Sequence, residues 1–505
     1  MHFLRFRSIL VAIGALAMAA WFGTSIGEGN KTPVIMTAMI STGIWFILSV
    51  RRTILALLTA VPLTGRVFSI PFGPTPFELT MAALVPQTAI QIMTKRMALR
   101  FGRPVIILPA VGLMSILTYH FFAQGTGARV LGAESVGARF YLDCYLGVIA
   151  YVILASTNFT IKDLRPFALC ALGPAVLLAT IDVLLFIKPS LTGLVYAIYS
   201  QFTWDAAGAY FGQSEQIRIG GLRDLGIAIV LVVLSYRRFS VFWGRQSWWA
   251  APLGLFSLAC MFAGGFRSYL LLYGFILALF SVMDLGWRAF VPAVLIVALV
   301  LLIAAGHSHL YELPRFMQRP ISFLPGDWDP EIKMQAASTV GWRQELWKYF
   351  FKWEFPLHPW FGRGLGFKME EMGRISFNPI YVGIGPFVET RLWHNGLVSA
   401  LDSTGIIGTT LWLGLNAGCL TLVVRGLRTL RAEPEQPVLR FLVVKTASIL
   451  FFTAFTGNGL EADVYPLLAF AGFLELGLRA ARRSAAERAE TEAAAGPVEP
   501  MAGSA

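Results

Sequence analysis

The stretches Val34–Val50, Pro104–Phe122, Pro166–Ile187 and Phe290–Gly306 are almost uninterrupted in apolar residues. They approach or exceed the roughly 18 residues that cross the hydrocarbon of a bilayer as one helix. A chain built this way has lipid as its solvent, where every backbone polar group must find a partner within the protein, so helices or a closed barrel are the options. No period-two alternation runs through these stretches, which leaves helices. Composition agrees: 14% of residues are charged and 56% hydrophobic, with a mean hydropathy of +0.65, whereas a soluble domain carries about a quarter charged residues.

A net charge of +12 would suit a nucleic-acid binder, so the position of the basic residues decides its meaning. Arg5 and Arg7, Arg51 and Arg52, Lys95 to Arg103, Lys162 and Arg165, Arg237 and Arg238, Arg425 to Arg431, and Arg479 to Arg483 fall between alternate apolar runs. That is the positive-inside pattern, with both termini cytoplasmic. The excess charge is thereby assigned to topology, and no nucleic-acid partner is expected. Cys144, Cys170, Cys260 and Cys419 all lie inside apolar runs without metal-ligand spacing and read as packing residues.

The expected fold is an all-α polytopic membrane protein of about 12–14 transmembrane helices. Residues 1–306 form the N-terminal helices, 307–393 a large loop outside the cytoplasm, 394–483 the C-terminal helices, and 484–505 a disordered cytoplasmic tail. The first apolar run, from Ile9, is followed by Ala17-Met18-Ala19, a form compatible with signal cleavage, but the many later runs favour an uncleaved helix. Thr53–Phe68 is the weakest span because Pro62, Gly65 and Arg66 interrupt it, and Leu191–Phe202 reads as a re-entrant or interfacial piece. Loops as long as 307–393 usually have a function. Within it, Trp342, Leu346, Tyr349, Phe350 and Trp353 follow helical spacing opposite Arg343, Gln344, Lys348 and Lys352. Such an amphipathic helix either lies on a membrane surface or covers the end of the bundle.

Where the loop re-enters the apolar region the sequence reads RLWHNGLVSALDSTGIIGTTLWL. His394-Asn395 followed after nine residues by Gly405-Ile406-Ile407-Gly408 resembles the motif of the O-antigen ligase and O-antigen polymerase family. GGFRSYLLL around Arg267 resembles that family's arginine-bearing helix start, with Phe266 where a small residue is usual. PWFGRGLGF from Pro359 is similar to its Pro-x-x-Gly-x-Gly turn. The resemblance covers mainly Arg218 to Glu461. It implies an integral-membrane glycosyltransferase of the bacterial inner membrane, working at the periplasmic face without a cofactor. Its substrates would be an undecaprenyl-pyrophosphate-linked glycan donor and a glycan or lipid A-core acceptor, with membrane lipids around it.

The residues fit that chemistry. A neutral imidazole can accept a proton from a sugar hydroxyl, so His394 is the candidate general base, with Asn395 beside it to orient the ring. An interfacial histidine bonded to a neighbour is the plain alternative. A pyrophosphate leaving group asks for planar, permanently charged guanidinium groups, and Arg267, Arg218, Arg343 and Arg391 are the candidates. Arg223 shares a segment with Arg218 and ranks below it. The ligase reading is preferred to the polymerase because the histidine motif matches it in full.

Other signals carry less. Asp327-Trp328-Asp329 has the Asp-x-Asp form of metal-dependent glycosyltransferases but reads well as a turn. His307-Ser308-His309 has no acid or cysteine at ligand spacing. Asp182 inside a span is costly, which suits either a functional site or a buried residue with a polar partner. A flippase or transporter of lipid-linked oligosaccharide is the alternative from another class. It would carry paired repeats and mid-membrane polar sites, which this sequence does not present.

Overall fold

The computed structural model describes residues 49–67, 73–123, 138–199, 219–242, 248–365, 387–388, 391–432, 436–455 and 459–494. Arg218, the run from Ile9 and nearly all of Val34–Val50 lie outside the described residues. The principal helices are α1 (Val50–Ala60), α2 (Pro76–Met93), α3 (Pro104–Ala123), α4 (Ala138–Ser156), α5 (Leu172–Ile187), α6 (Gly220–Tyr236) and α7 (Ala250–Gly264), then α8 (Arg267–Leu285) and α9 (Phe290–Gly306). After these come α10 (Arg315–Ile321), α11 (Pro330–Tyr349), α12 (Gly396–Ala432), α13 (Pro437–Phe455) and α14 (Leu460–Ala494). Among the described residues seven segments are long and apolar enough to cross a membrane: Pro104–Ala123, Arg139–Ser156, Ile161–Ile187, Arg267–Leu285, Gly396–Ala432, Pro437–Phe455 and Ala462–Thr491. Two isolated bridges, Val67 with Tyr199 and His307 with Tyr311, are the extended pairings among those residues. The protein is an all-α polytopic membrane protein.

α14 is the axis of the bundle. Leu467, Leu468, Ala469, Ala471, Phe473 and Leu474 on it are fully buried, and it packs along α4, α12 and α13. Apolar side chains gain nothing by leaving lipid for other apolar side chains, so close backbone approach holds the helices together. At Gly147 on α4 an added Cβ would stand 2.8 Å from the Cα of Tyr465, so only glycine fits there.

The basic residues that the sequence assigns to one side gather at one end of the bundle. Arg51 pairs with Asp163 at 2.7 Å, Arg103 with Glu475, and Arg440 forks onto Asp284 at 2.6 and 2.9 Å. Arg479 donates to the carbonyls of Leu154 and Thr157, and Arg483 to Asn158. Each of these links two or more helix ends, so the arginines do more than mark topology.

Several expectations resolve. α1 stops at Ala60, two residues before Pro62, so this weak span is a single short helix among the described residues. Asp182 is buried with a partner: its Oδ2 accepts the N–H of Gly221 at 2.5 Å. It thus satisfies one of the free donors at the start of α6. The loop helix begins earlier than the amphipathic pattern, at Pro330, where Asp329 caps it. Its buried face, Leu346 and Phe350, packs on Val388, Trp393 and Val398, so it covers the bundle end. Phe351 and Trp353 point outward. The last helix runs on to Ala494, where composition reads as a disordered tail from residue 484. Ser484–Ala494 is rich in alanine and glutamate, which favour a helix even with little to bury; residues 495–505 lie outside the described part.

Candidate active site

Helix α12 is broken at Gly405, whose backbone sits at φ 63°, ψ −167°. A break inside a span frees carbonyls on one side and N–H groups on the other, and lipid offers them nothing. The turn Pro359–Gly364 supplies both. Arg363 N–H donates to the Asp402 carbonyl at 2.7 Å and Gly364 N–H to that of Ser403 at 2.9 Å. In return Ile406 N–H donates to the Pro359 carbonyl at 2.8 Å and Ile407 N–H to that of Trp360 at 3.2 Å. Gly362 and Gly364 are left-handed, at φ 72° and 77°. The two glycine motifs of the sequence are therefore the halves of one joint. Its outer side is tied down by His120 Nε2 against the Phe361 carbonyl at 2.7 Å, and by Leu365 N–H donating to Tyr141 Oη at 2.8 Å. Arg363 pairs with Glu354.

His394 stands at the other end of the helix half that this joint holds. It is left-handed, at φ 50°, and so is Arg391, at φ 52°. Such geometry in non-glycine residues costs about 1–3 kcal/mol and tends to occur where function requires it. Trp393 fixes the turn: its side chain is 1% exposed, its Nε1 donates to Asp402 Oδ2 at 3.0 Å, and its carbonyl accepts Trp347 Nε1 at 2.8 Å. Asn395 Oδ1 accepts the N–H groups of Leu397 at 3.0 Å and Val398 at 3.2 Å. It is the N-cap of α12, so its amide oxygen is engaged with backbone and not with the imidazole.

The imidazole of His394 meets the edges of Trp342, 5.3 Å between centroids, and Phe387, 5.5 Å. Those two rings stack on each other at 4.4 Å. His394 Nε2 is buried and has no hydrogen-bond partner among the described residues. Burial, and then the positive charge of Arg343, push the imidazole down to about 4. Arg343, next to Trp342 on α11, also has a buried Nε without a partner among the described residues. Burial holds its guanidinium below the usual arginine range. Arg267, the first residue of α8, lies within electrostatic reach of Arg343. Its Nη2 donates to Ser322 Oγ at 2.9 Å and its Nε to the Arg319 carbonyl at 3.2 Å, so α10 holds it in place.

The structure thus brings His394, Arg343 and Arg267 together. A site with two guanidiniums, a neutral imidazole whose Nε2 has no partner among the described residues, and aromatic neighbours suits a substrate that combines phosphate charge with a sugar hydroxyl. The model of the family described as O-antigen ligase matches residues 252–413, which run from α7 through Arg267, the loop and His394 to just past the Gly405 break. This third of the chain is similar to the O-antigen ligase family. No match is found among the curated proteins.

Within the matched region, Arg391 is directed elsewhere: its Nη1 donates to the Gly364 carbonyl at 3.0 Å, bracing the turn. Arg223, ranked low by sequence, is half-buried, its guanidinium 4.5 Å from the Phe266 ring and 4.1 Å from the Tyr269 ring. This stacking accounts for Phe266, which stands where the motif carries a small residue. Asp329 spends its carboxylate on the α11 cap and on Arg315 at 3.3 Å. His307 stacks on Trp328 and accepts the Leu313 N–H. Neither Asp329 nor His307 is left as a free ligand. Trp393, Asp402, Trp347 and Glu354 were not visible as site residues in the sequence, since their bonds depend on how the loop folds against the start of α12. The acid eight residues after the histidine was the single local signal.

Proposed function

We propose that the chain transfers a glycan from undecaprenyl pyrophosphate to an acceptor hydroxyl, that of lipid A-core or a similar sugar, at the periplasmic face of the inner membrane. The acceptor oxygen attacks the anomeric carbon, the carbon–oxygen bond to phosphate breaks, and the lipid pyrophosphate leaves with the electron pair. The acceptor proton passes to His394 Nε2. Arg267 and Arg343, with Arg218 from the preceding segment, bind the charge that grows on the leaving group. Arg391 contributes by bracing the Gly364 turn. No step requires a metal.

The observation that carries this reading is that two buried nitrogens beside Trp342, His394 Nε2 and Arg343 Nε, have no hydrogen-bond partner among the described residues. A histidine with only a structural role would use its second nitrogen. His394 and Arg267 lie at the opposite end of α12 and α8 from the arginine cluster, which supports a site on the non-cytoplasmic side. Reporter fusions near Trp342 test that side, and a cytoplasmic signal there would overturn it. The glycan profile of a deletion strain tests the reaction. Accumulated full-length lipid-linked polymer is expected for a ligase, and loss of long chains with retained single repeats would move the assignment to a polymerase of the same family. Unchanged glycans, lipid-linked and transferred alike, would remove both.

A further inference from the structure

Asp402 is 3% exposed. One carboxylate oxygen accepts Trp393 Nε1 at 3.0 Å, and the other, Oδ1, is buried without a hydrogen-bond partner among the described residues. Such a group is costly in an apolar span unless the one bond it makes is needed. The Trp393 side chain that it holds belongs to the residue immediately before His394. The carbonyl of Trp393 accepts Trp347 Nε1 at 2.8 Å, and Trp347 lies one helical turn after Arg343 on α11. Trp393 is therefore a hydrogen-bonded contact between the helix that carries the arginine and the turn that carries the histidine, and Asp402 holds its indole from α12.

We propose that Asp402 is a positioning residue of the transfer reaction, acting through Trp393 to hold His394 beside Arg343 in the strained turn. The proposal rests on His394 and Arg343 forming the reactive site. What it adds is the acceptor oxygen that keeps them in register. It explains why a carboxylate sits eight residues after the histidine, on a helix face turned into the protein. The work asked of Asp402 is hydrogen-bond acceptance, not charge, so asparagine should do it.

The test is the titration of His394, followed by NMR of ¹³C-histidine-labelled full-length protein in detergent. The chain has six histidines, and the His394 signal is the one missing from His394→Ala. In the unmodified protein and in Asp402→Asn it should titrate near 4. In Asp402→Ala and in Trp393→Phe the ring is no longer held in the buried site beside Arg343, and the midpoint should move up towards the ordinary value of about 6.5. With an undecaprenyl-pyrophosphate-linked glycan as donor, kcat should fall by up to about 100-fold in these two variants while KM for the donor changes little. The double variant should lose no more than either single one. An unmoved His394 midpoint in both Asp402→Ala and Trp393→Phe would overturn the proposal, as would equal loss in Asp402→Asn and Asp402→Ala. The NMR arm needs no transfer activity. A protein that transfers nothing would thus refute the proposed function and leave the positioning claim to be decided by the titration. Should Asp402→Ala fail to fold, Trp393→Phe carries the same comparison.

Discussion

Gly362 and Gly405 touch backbone to backbone: a Cβ on Gly362 would stand 2.5 Å from the Gly405 nitrogen. A Cβ on Gly405 would in turn stand 2.3 Å from the carbonyl carbon of Trp360. Both residues have positive φ, so a side chain at either is opposed by conformation and by space. Gly405→Ala and Gly362→Ala should each separate the turn from the broken helix, leaving up to eight backbone groups of the joint, those of its four hydrogen bonds, without partners. At about 1–3 kcal/mol for each group, even one such loss is a large share of a protein's net stability. The expected result is a marked drop in thermal midpoint and in membrane abundance. A Gly405→Ala protein as stable as the unmodified one would show that the joint is not the structural unit described above.

Asn395 offers a finer distinction. As the N-cap of α12 it is worth about 0.5–2 kcal/mol relative to alanine. An aspartate at this position would cap as well, so Asn395→Asp should keep both stability and transfer, and Asn395→Ala should lose some of each. Thermal denaturation and glycan transfer, measured on the same preparations, check this. Full stability with abolished transfer in Asn395→Asp would give the amide a chemical role that its hydrogen bonds do not suggest.

How much of this was legible beforehand depended on range along the chain. The spans and the basic end could be read because a helix crossing lipid must be apolar throughout and its flanking charges are local. His394, Arg267 and Arg343 could be named from motif and chemistry. The break at Gly405 could not, because a continuous apolar run hides it and the turn that satisfies it lies some forty residues upstream. The bond from Trp393 to Asp402 spans only nine residues but depends on how the turn before α12 folds back, and the diversion of Arg391 to Gly364 spans twenty-seven. Asp329 and Asp182 were read correctly as a turn residue and as a possible buried, partnered carboxylate, but the helix starts they serve, those of α11 and α6, could be assigned only from the structure.

Arg267 makes two donations at once, from Nε to the Arg319 carbonyl and from Nη2 to Ser322 Oγ. Lysine keeps the charge but cannot reproduce two nitrogens in a fixed plane. Arg267→Lys should therefore impair turnover nearly as much as Arg267→Ala, with the protein still inserted and abundant. Transfer rates normalised to protein in the membrane decide it. A fully active Arg267→Lys would reduce Arg267 to a point charge.

The pH profile tests His394 most directly. In the free protein burial and Arg343 hold the imidazole at about 4, so it is neutral, and able to accept a proton, throughout the neutral range. The acid limb of kcat/KM, which reports the free enzyme, should accordingly fall near pH 4 and not near the ordinary value of about 6.5. Donor binding changes this. A pyrophosphate on Arg343 and Arg267 offsets the positive charge that disfavours imidazolium, so the acid limb of kcat, which reports the bound complex, should lie at higher pH than that of kcat/KM. Stability has its own sign. With the folded value below the unfolded one, the unfolded chain binds more protons between about 4 and 6.5, so this contribution is complete above 6.5 and declines as pH falls through that window. His394→Ala should remove the shared acid limb, cost about 10²–10⁴-fold in rate and flatten the stability profile between those values. Arg343→Gln should raise the kcat/KM limb, though only in part, because burial remains the larger cause. Near-normal transfer by a folded His394→Ala protein at saturating lipid-linked donor would end the assignment of the base.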